Sequence, residues 1–235
     1  MAAVSLDVPS PRGPRTLALS CTRLGTGEPL LLLHGIGHHR QAWDPVIDIL
    51  AAERDVIAVD LPGFGASEAL PDGLRHGLPA MSTALGALCD TLGTDRSHVA
   101  GNPLGGLLAL EPGREKRIRS VTALSPAGFW TPVEQRYAFG ILTAMRRAAR
   151  GLPLPVVERL SRSAAGRAVL TSNIYARPGR RSPEAVVAET LALARAGVHE
   201  LCPRRRCVGP RSRASERVAS PRCSSGVRAD AAGRR

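Results

Sequence analysis

Several residue types and patterns are scarce in this chain. Aromatic residues make up 3% of the 235 residues, and none follows Tyr175. Lys116 is the single lysine, so arginine supplies the rest of the basic charge. No apolar run approaches the roughly 20 residues that a membrane-spanning helix needs, and residues 1–15 lack the hydrophobic stretch of a secretory signal. We therefore predict no membrane partner and a cytoplasmic location.

The formal net charge of +12 is distributed unevenly along the chain. Residues 201–235 hold ten arginines against one glutamate and one aspartate, which is +8, so residues 1–200 carry only +4. A basic surface typical of nucleic-acid binding is therefore not expected in the first 200 residues, and we predict no nucleic-acid partner. At 43%, the hydrophobic content suits a folded domain.

The spacing of apolar residues predicts alternating strands and helices up to about residue 128. Strands are expected over residues 17–23, 30–34, 55–60, 97–101 and 118–124, and helices over 42–54, 81–92 and 104–111. The strands that follow the first are mostly apolar, as in a sheet covered on both faces. The predicted class is α/β, with a mostly parallel sheet and flanking helices.

After Phe129 the pattern becomes helical. Thr131, Pro132 and Glu134 form a capping-box sequence that opens a helix running to about Arg150. Two more helical segments follow at residues 154–160 and 182–196. The predicted organisation is a flexible lead-in over residues 1–16, a core over 17–128, a helical cap over 129–197 and a basic, disordered tail over 198–235.

Three predicted strands run into glycine-rich turns, which read HGIG at residues 34–37, DLPGFGAS at 60–67 and GNPLGG at 101–106. Together with LSPAGFW at 124–130, they resemble the α/β-hydrolase superfamily of the AB hydrolase-1 type, which includes capped esterases, epoxide hydrolases and C–C hydrolases. The resemblance covers residues 15–195. It implies hydrolysis of an ester, epoxide or C–C bond in a small apolar substrate, without a cofactor.

The same resemblance assigns site residues. The backbone N–H groups of Ile36 and Leu104 would form the oxyanion hole, where fixed donors stabilise charge developing on a tetrahedral intermediate. Candidates for lining the substrate pocket are Gly35, Ser125, Phe129 and Trp130. His34, His38 and His39 lie close in sequence but have no Cys or carboxylate at ligand spacing, so no metal site is predicted. His34 is interpreted instead as a structural anchor of its loop.

The chain departs from the family pattern at the nucleophile. The family turn reads G-x-S-x-G, whereas residues 101–105 read GNPLG. Pro103 has no nucleophilic atom, and its ring fixes φ near −65° where the family turn needs a positive φ. We therefore expect no intact catalytic residue at Pro103 and a deformed turn at Leu104.

The other two triad members are also not found. After the cap, the acids are Glu200, Glu216 and Asp230, with no predicted strand beside them, and His199 is the one late histidine. We therefore predict a C-terminally incomplete, catalytically defective hydrolase, that is, a pseudoenzyme.

Residues 201–235 admit two interpretations. One is a basic arm that binds an acidic partner. The favoured one is an out-of-frame translation of GC-rich DNA, with the frameshift between residues 196 and 207. Read one base later, codons for Cys207, Val208 and Gly209 can encode Ala-Trp-Gly, which is similar to a family strand end. The nucleotide sequence tests the frameshift hypothesis. If no alternative frame downstream encodes the missing strands and a histidine, the hypothesis is excluded.

The alternative function is a non-catalytic small-molecule-binding protein with a basic tail for an acidic partner. Deletion of residues 201–235 separates the two hypotheses, because a binder loses salt-dependent affinity and a frameshift product does not. No feature of the sequence indicates an oligomeric state.

Overall fold

The computed structural model describes residues 2–10, 13–71, 74, 77–94, 96–110 and 118–195. Within these ranges a six-stranded sheet has the order β1-β2-β4-β3-β5-β6. β3 pairs in parallel with β4 and β5, and β5 with β6, whereas β2 is antiparallel to β1 and β4. The predicted α/β class with a mostly parallel sheet is confirmed. The strands are β1 (Ala2–Val8), β2 (Arg15–Leu24), β3 (Pro29–Leu33), β4 (Asp55–Val59), β5 (Ser97–Gly101) and β6 (Ile118–Ala123).

Helices connect the strands and then follow β6 in succession. Among the described residues, the first three helices lie between strands and four more come after β6; 3-10 turns occur at Arg40–Trp43 and Pro178–Arg180. No helix in the described ranges is long and apolar enough to cross a membrane. The helices are α1 (Asp44–Ala51), α2 (Leu78–Thr91), α3 (Leu104–Ala109), α4 (Pro132–Gly151), α5 (Leu154–Ser161), α6 (Ala164–Thr171) and α7 (Pro183–Arg195).

Successive side chains of a strand point to opposite faces of the sheet, and on the central strands both sets of side chains are buried. On β3, Leu31 and Leu33 belong to the large core cluster that also contains residues of α2 and α3. Leu32 lies in a second cluster with Ile47 of α1 and Val56 of β4. The two clusters place helices on both faces of the sheet, as its continuous apolar strands require.

The prediction of a flexible lead-in over residues 1–16 is wrong for Ala2–Val8. This segment is β1, which pairs along its whole length with β2, from Ala2 opposite Cys21 to Val8 opposite Arg15. Leu6 and Val8 are buried in the main core, and Asp7 between them is exposed. The strand forms because this alternation covers one face of the sheet.

Helices α4 and α6 each begin at a side chain that caps the helix. The capping box before α4 is confirmed: Thr131 Oγ1 accepts the Glu134 N–H at 3.3 Å, and Glu134 Oε2 accepts the Thr131 N–H at 2.8 Å. α6 was not predicted; Ser163 caps it by accepting the Gly166 N–H at 3.0 Å.

The predicted tail over residues 198–235 lies outside the described residues. The division between core and cap at residues 128 and 129 stays a prediction.

Candidate functional site

The strand-to-helix turn after β5 is built on two glycines. β5 ends at Gly101 and α3 begins at Leu104. A Cβ on Gly101 would lie 2.2 Å from the Gly105 carbonyl carbon, and a Cβ on Gly105 would lie 2.3 Å from the Leu33 carbonyl oxygen. These separations leave no room for a side chain, so the close packing of β3, β5 and α3 requires both glycines.

Pro103 occupies the central position of this turn. Its φ of −65° and ψ of −34° lie in the right-handed helical region, and it serves as the N-cap residue of α3. Among described residues other than glycine, positive φ occurs at Arg96 and Ser125. The turn is therefore made without left-handed backbone at Pro103, and the residue offers no side-chain nucleophile.

The loops that follow β3, β5 and β6 meet at Pro103. A Cβ on Gly35, after β3, would lie 2.5 Å from Pro103 Cδ. The Ala127 N–H, after β6, donates to the Pro103 carbonyl at 3.1 Å, and the Leu124 N–H donates to the Gly101 carbonyl at 2.8 Å. This convergence at the carboxyl ends of parallel strands is where open α/β sheets bind ligands.

The two proposed oxyanion-hole donors come from different elements. Ile36 follows β3 and is half-buried, whereas Leu104 starts α3 and is buried. Within the described part of the chain, neither backbone N–H has a hydrogen-bond acceptor. Their joint role as an oxyanion hole stays a prediction.

The candidate lining residues have unlike surroundings. Gly35 is buried against Pro103, whereas Ser125 is exposed with a φ of +46°. Phe129 is 71% exposed. Trp130 packs edge-to-face on Phe139, with ring centroids 6.3 Å apart. A substrate-lining role for these residues stays a prediction.

His34 anchors the loop after β3. Its Nδ1 donates to the Gly35 carbonyl at 2.7 Å, and its Nε2 accepts the Leu61 N–H at 3.0 Å. Burial lowers the pKa of the ring to about 4, because the charged form is desolvated. The interpretation of His34 as a structural anchor is confirmed. In the described ranges, no group of His, Cys, Asp or Glu side chains could hold a metal ion.

His34 should make stability depend on pH. Between its ordinary pKa of 6.5 and about 4, the unfolded chain binds a proton that the folded chain does not, so stability falls as pH falls through this window. The loss for His34 is about 3 kcal/mol by pH 4. Urea unfolding of wild type and His34→Gln at pH 7.5, 6 and 5 should show a shallower pH dependence in the variant. Equal slopes for His34→Gln and wild type would contradict this assignment.

A buried ion pair that the sequence did not reveal joins the loops after β3 and β4. Asp60 is fully buried and accepts the Arg40 N–H at 2.6 Å, the Arg40 guanidinium and the Ala66 N–H at 2.9 Å. Arg40 Nε also donates to Thr22 Oγ1 at 3.2 Å. A Cβ on Gly65 would lie 2.3 Å from the Asp60 carboxyl carbon, so a glycine is required there.

A cleft of about 820 Å³ lies beside these loops. Residues 39–41, 44–45, 60 and 63–66 form one wall, and residues 180–182 together with α7 form the other. Gly35, Ile36, Pro103 and Leu104 do not line it, and neither do Ser125, Phe129 and Trp130. The structure therefore separates this cleft from the turn at Pro103.

Comparison with known proteins places this geometry in a family. The model of the alpha/beta hydrolase fold family matches residues 28–181, more than half of the chain. The acetyltransferase component of the acetoin cleaving system of Pseudomonas putida is 36% identical over 126 residues, covering 52% of this chain and 33% of that protein. The 2-hydroxy-6-oxo-2,4-heptadienoate hydrolase of Pseudomonas putida is 37% identical over 90 residues, covering 37% of this chain and 32% of that protein. The chain thus spans about a third of the length of these relatives.

A solved structure superposes on most of this chain. A thermophilic esterase from Thermogutta terrifontis superposes with a TM-score of 0.55 at 25% identity, covering 85% of this chain and 74% of the esterase. Its match extends well beyond the segments shared with the curated relatives. With its parallel sheet, its glycine-built turn and the matched model, the chain belongs to the alpha/beta hydrolase family.

Proposed function

We propose that this chain derives from a hydrolase of esters, epoxides or C–C bonds in small apolar substrates, and that the chain itself does not turn such substrates over. Two of the matched proteins are, by name, an esterase and a 2-hydroxy-6-oxo-2,4-heptadienoate hydrolase, which supports a hydrolytic ancestral reaction. The observation that carries the proposed defect is Pro103 at the nucleophile position of the glycine-built turn. Covalent catalysis needs an activated nucleophile, and a proline side chain has none.

Two backbone donors do not compensate for a missing nucleophile. Ile36 and Leu104 can stabilise charge on a substrate oxygen only after an attacking group has added to the carbonyl. The predicted absence of the triad acid and histidine also leaves a water molecule without a positioned general base. The substrate can therefore be held but is not cleaved.

The direct test is hydrolysis of p-nitrophenyl acetate and butyrate by the purified full chain. We expect no turnover above that of the Ile36→Pro variant, which removes one oxyanion donor without touching Pro103. A contaminating esterase is unaffected by this substitution. Turnover by wild type that Ile36→Pro abolishes would overturn the proposal.

Restoring the nucleophile alone should not restore activity. Pro103→Ser provides a hydroxyl at the turn, but this hydroxyl still lacks the acid and the histidine that would remove its proton. We expect p-nitrophenyl ester hydrolysis by Pro103→Ser to equal that of Pro103→Ala within error. A rate for the serine variant at least tenfold above the alanine variant would show that a base is present, and would contradict the assignment of the missing triad members.

A further inference from the structure

The longest helix of the structure has one face that is open to solvent. α4 has 20 residues and none of them is buried, although the helix packs against α7. With 3.6 residues per turn, its exposed side chains fall into two adjacent stripes. One stripe is basic and carries Arg136, Arg147 and Arg150, whereas the other carries Val133 and Tyr137, which are 72% and 71% exposed. These five residues, the α4 face, form a basic and apolar surface.

The positive charge around the α4 face is not balanced within the described residues. Residues 129–195 hold eleven arginines and four glutamates, a net +7, whereas residues 1–128 have a net charge of −2. After β6, Arg181 is the one arginine that forms an ion pair with a described carboxylate. Before α4, four arginines do so: Arg23, Arg40, Arg54 and Arg119. The α4 face is therefore suited to a partner that brings negative charge and apolar surface together.

α1 has a surface of that kind. Its exposed side carries Asp44 and Asp48 on one stripe and Ile49, which is 73% exposed, on the next. Ile47 packs on the sheet from the opposite side of the helix. Neither aspartate forms an ion pair with another described residue. Asp44, Asp48 and Ile49, the α1 face, thus join unpaired negative charge to an exposed apolar side chain.

The two faces match when α1 and α4 run antiparallel. On each helix the charged stripe precedes the apolar stripe by roughly a quarter to a third of a turn. Two facing helices with the same rotational order of stripes bring like stripes together only when one helix is reversed. In the antiparallel arrangement Ile49 fits between Val133 and Tyr137, which lie one turn apart on one side of α4. Asp48, next to Ile49, then faces Arg136.

We propose that the α4 face binds the α1 face of a second copy of this chain. An acidic protein, a nucleic acid or an anionic lipid surface would neutralise the arginines but leave the α1 face uncovered, whereas a second copy covers both. A two-fold axis that uses the contact twice closes a dimer, and any other operator gives a larger ring or an open chain. Because the contact does not involve the turn at Pro103, it goes beyond the proposed function and does not depend on it.

Sedimentation equilibrium of the full chain measures the association. At about 5–200 μM and low salt, we expect a weight-average mass above that of one chain. Raising NaCl from about 0.05 M to about 0.5 M should weaken the association at least threefold, because salt screens the ion pairs. A chain that stays monomeric at about 200 μM, or an association that salt leaves unchanged, would overturn the proposal.

Charge reversal assigns the contact to two residues. Asp48→Lys and Arg136→Glu should each weaken the association about tenfold, because attraction becomes repulsion. The double variant restores opposite charges across the contact and should recover most of the loss. Arg159→Glu is the matched control, because Arg159 is exposed on α5 and outside the α4 face; it should leave the association unchanged. Circular dichroism verifies that the variants are folded.

Three results would contradict this assignment. Equal association of wild type and both single variants would place the contact elsewhere, for example on the basic residues 201–235. A double variant no stronger than the single variants would show that Asp48 does not face Arg136. Binding of a monomeric chain to duplex DNA or to phosphatidylglycerol vesicles, abolished by Arg136→Glu, would assign the α4 face to a different partner. If a charge variant is unfolded, Ile49→Ser replaces it and must weaken the association; unchanged association in that folded variant also overturns the proposal.

Discussion

Asp60→Asn should lower the free energy of unfolding by about 3–5 kcal/mol, because it removes one partner of a buried ion pair. The Arg40 side chain is 4% exposed, so its charge has no access to bulk water once the Asp60 carboxylate is gone. The Arg40 and Ala66 N–H groups bond different oxygens of Asp60, so the single oxygen of an asparagine can accept only one of them. Urea denaturation followed by circular dichroism measures the loss.

The same substitution at the other end of β4 is the control. Asp55 begins the strand and pairs with Arg23, whose side chain is 45% exposed. Asp55 is itself buried, but the Arg23 guanidinium reaches water, so removal of the carboxylate leaves no buried unpaired charge and the expected loss is smaller than that for Asp60→Asn. A loss for Asp60→Asn no larger than that for Asp55→Asn would show that the Arg40–Asp60 pair does not determine the stability of these loops.

Gly105→Ala should be destabilising by about 3 kcal/mol, since it places a methyl group where backbone atoms already lie. The new Cβ would stand 2.3 Å from the Leu33 carbonyl oxygen and 2.4 Å from the Leu33 Cβ. Leu33 ends a strand that is paired on both sides, with β4 and β5. It cannot move away without breaking the centre of the sheet, so we expect the unfolding midpoint in urea to fall sharply.

A second glycine gives the opposite expectation. Gly140 lies within α4, and a Cβ there would meet nothing within 4 Å. Gly140→Ala should therefore raise the free energy of unfolding by about 0.5–1 kcal/mol, because alanine favours helix over glycine. If both alanine variants shift the urea midpoint in the same direction, steric exclusion at Gly105 is not the cause of its effect.

The regular elements of the sheet core were predictable because their signals are local. A run such as Leu30 to Leu33 is too short for a helix and too apolar for a surface, so it predicts a buried strand. β1 was missed although Val4, Leu6 and Val8 alternate with polar residues, because the prolines and glycine that follow dominate the composition of that segment. α6 was missed because its first turn, after Ser163, is Ala-Ala-Gly and shows little apolar periodicity.

The candidate site likewise has one part that the sequence predicts and another that it does not. The turn at Pro103 and its glycines form a contiguous motif, so sequence alone locates them. The pairing of Arg40 with Asp60 joins residues from two loops, and no spacing rule predicts it. Glu189 appears in sequence as one more acid on a helix, and only the structure shows that it is buried and that its Oε1 accepts the Tyr175 hydroxyl and the Arg181 guanidinium.

The sheet topology has a consequence for the order in which the chain folds. β1 and β2 join residues close in sequence, such as Val8 and Arg15, whereas β3 and β5 join Leu30 to His98 across a long intervening segment. Closing a short loop sacrifices less chain entropy than closing a long one, and local contacts form faster than distant ones. The N-terminal hairpin should therefore form first, and the parallel strands that carry the turn at Pro103 should assemble last.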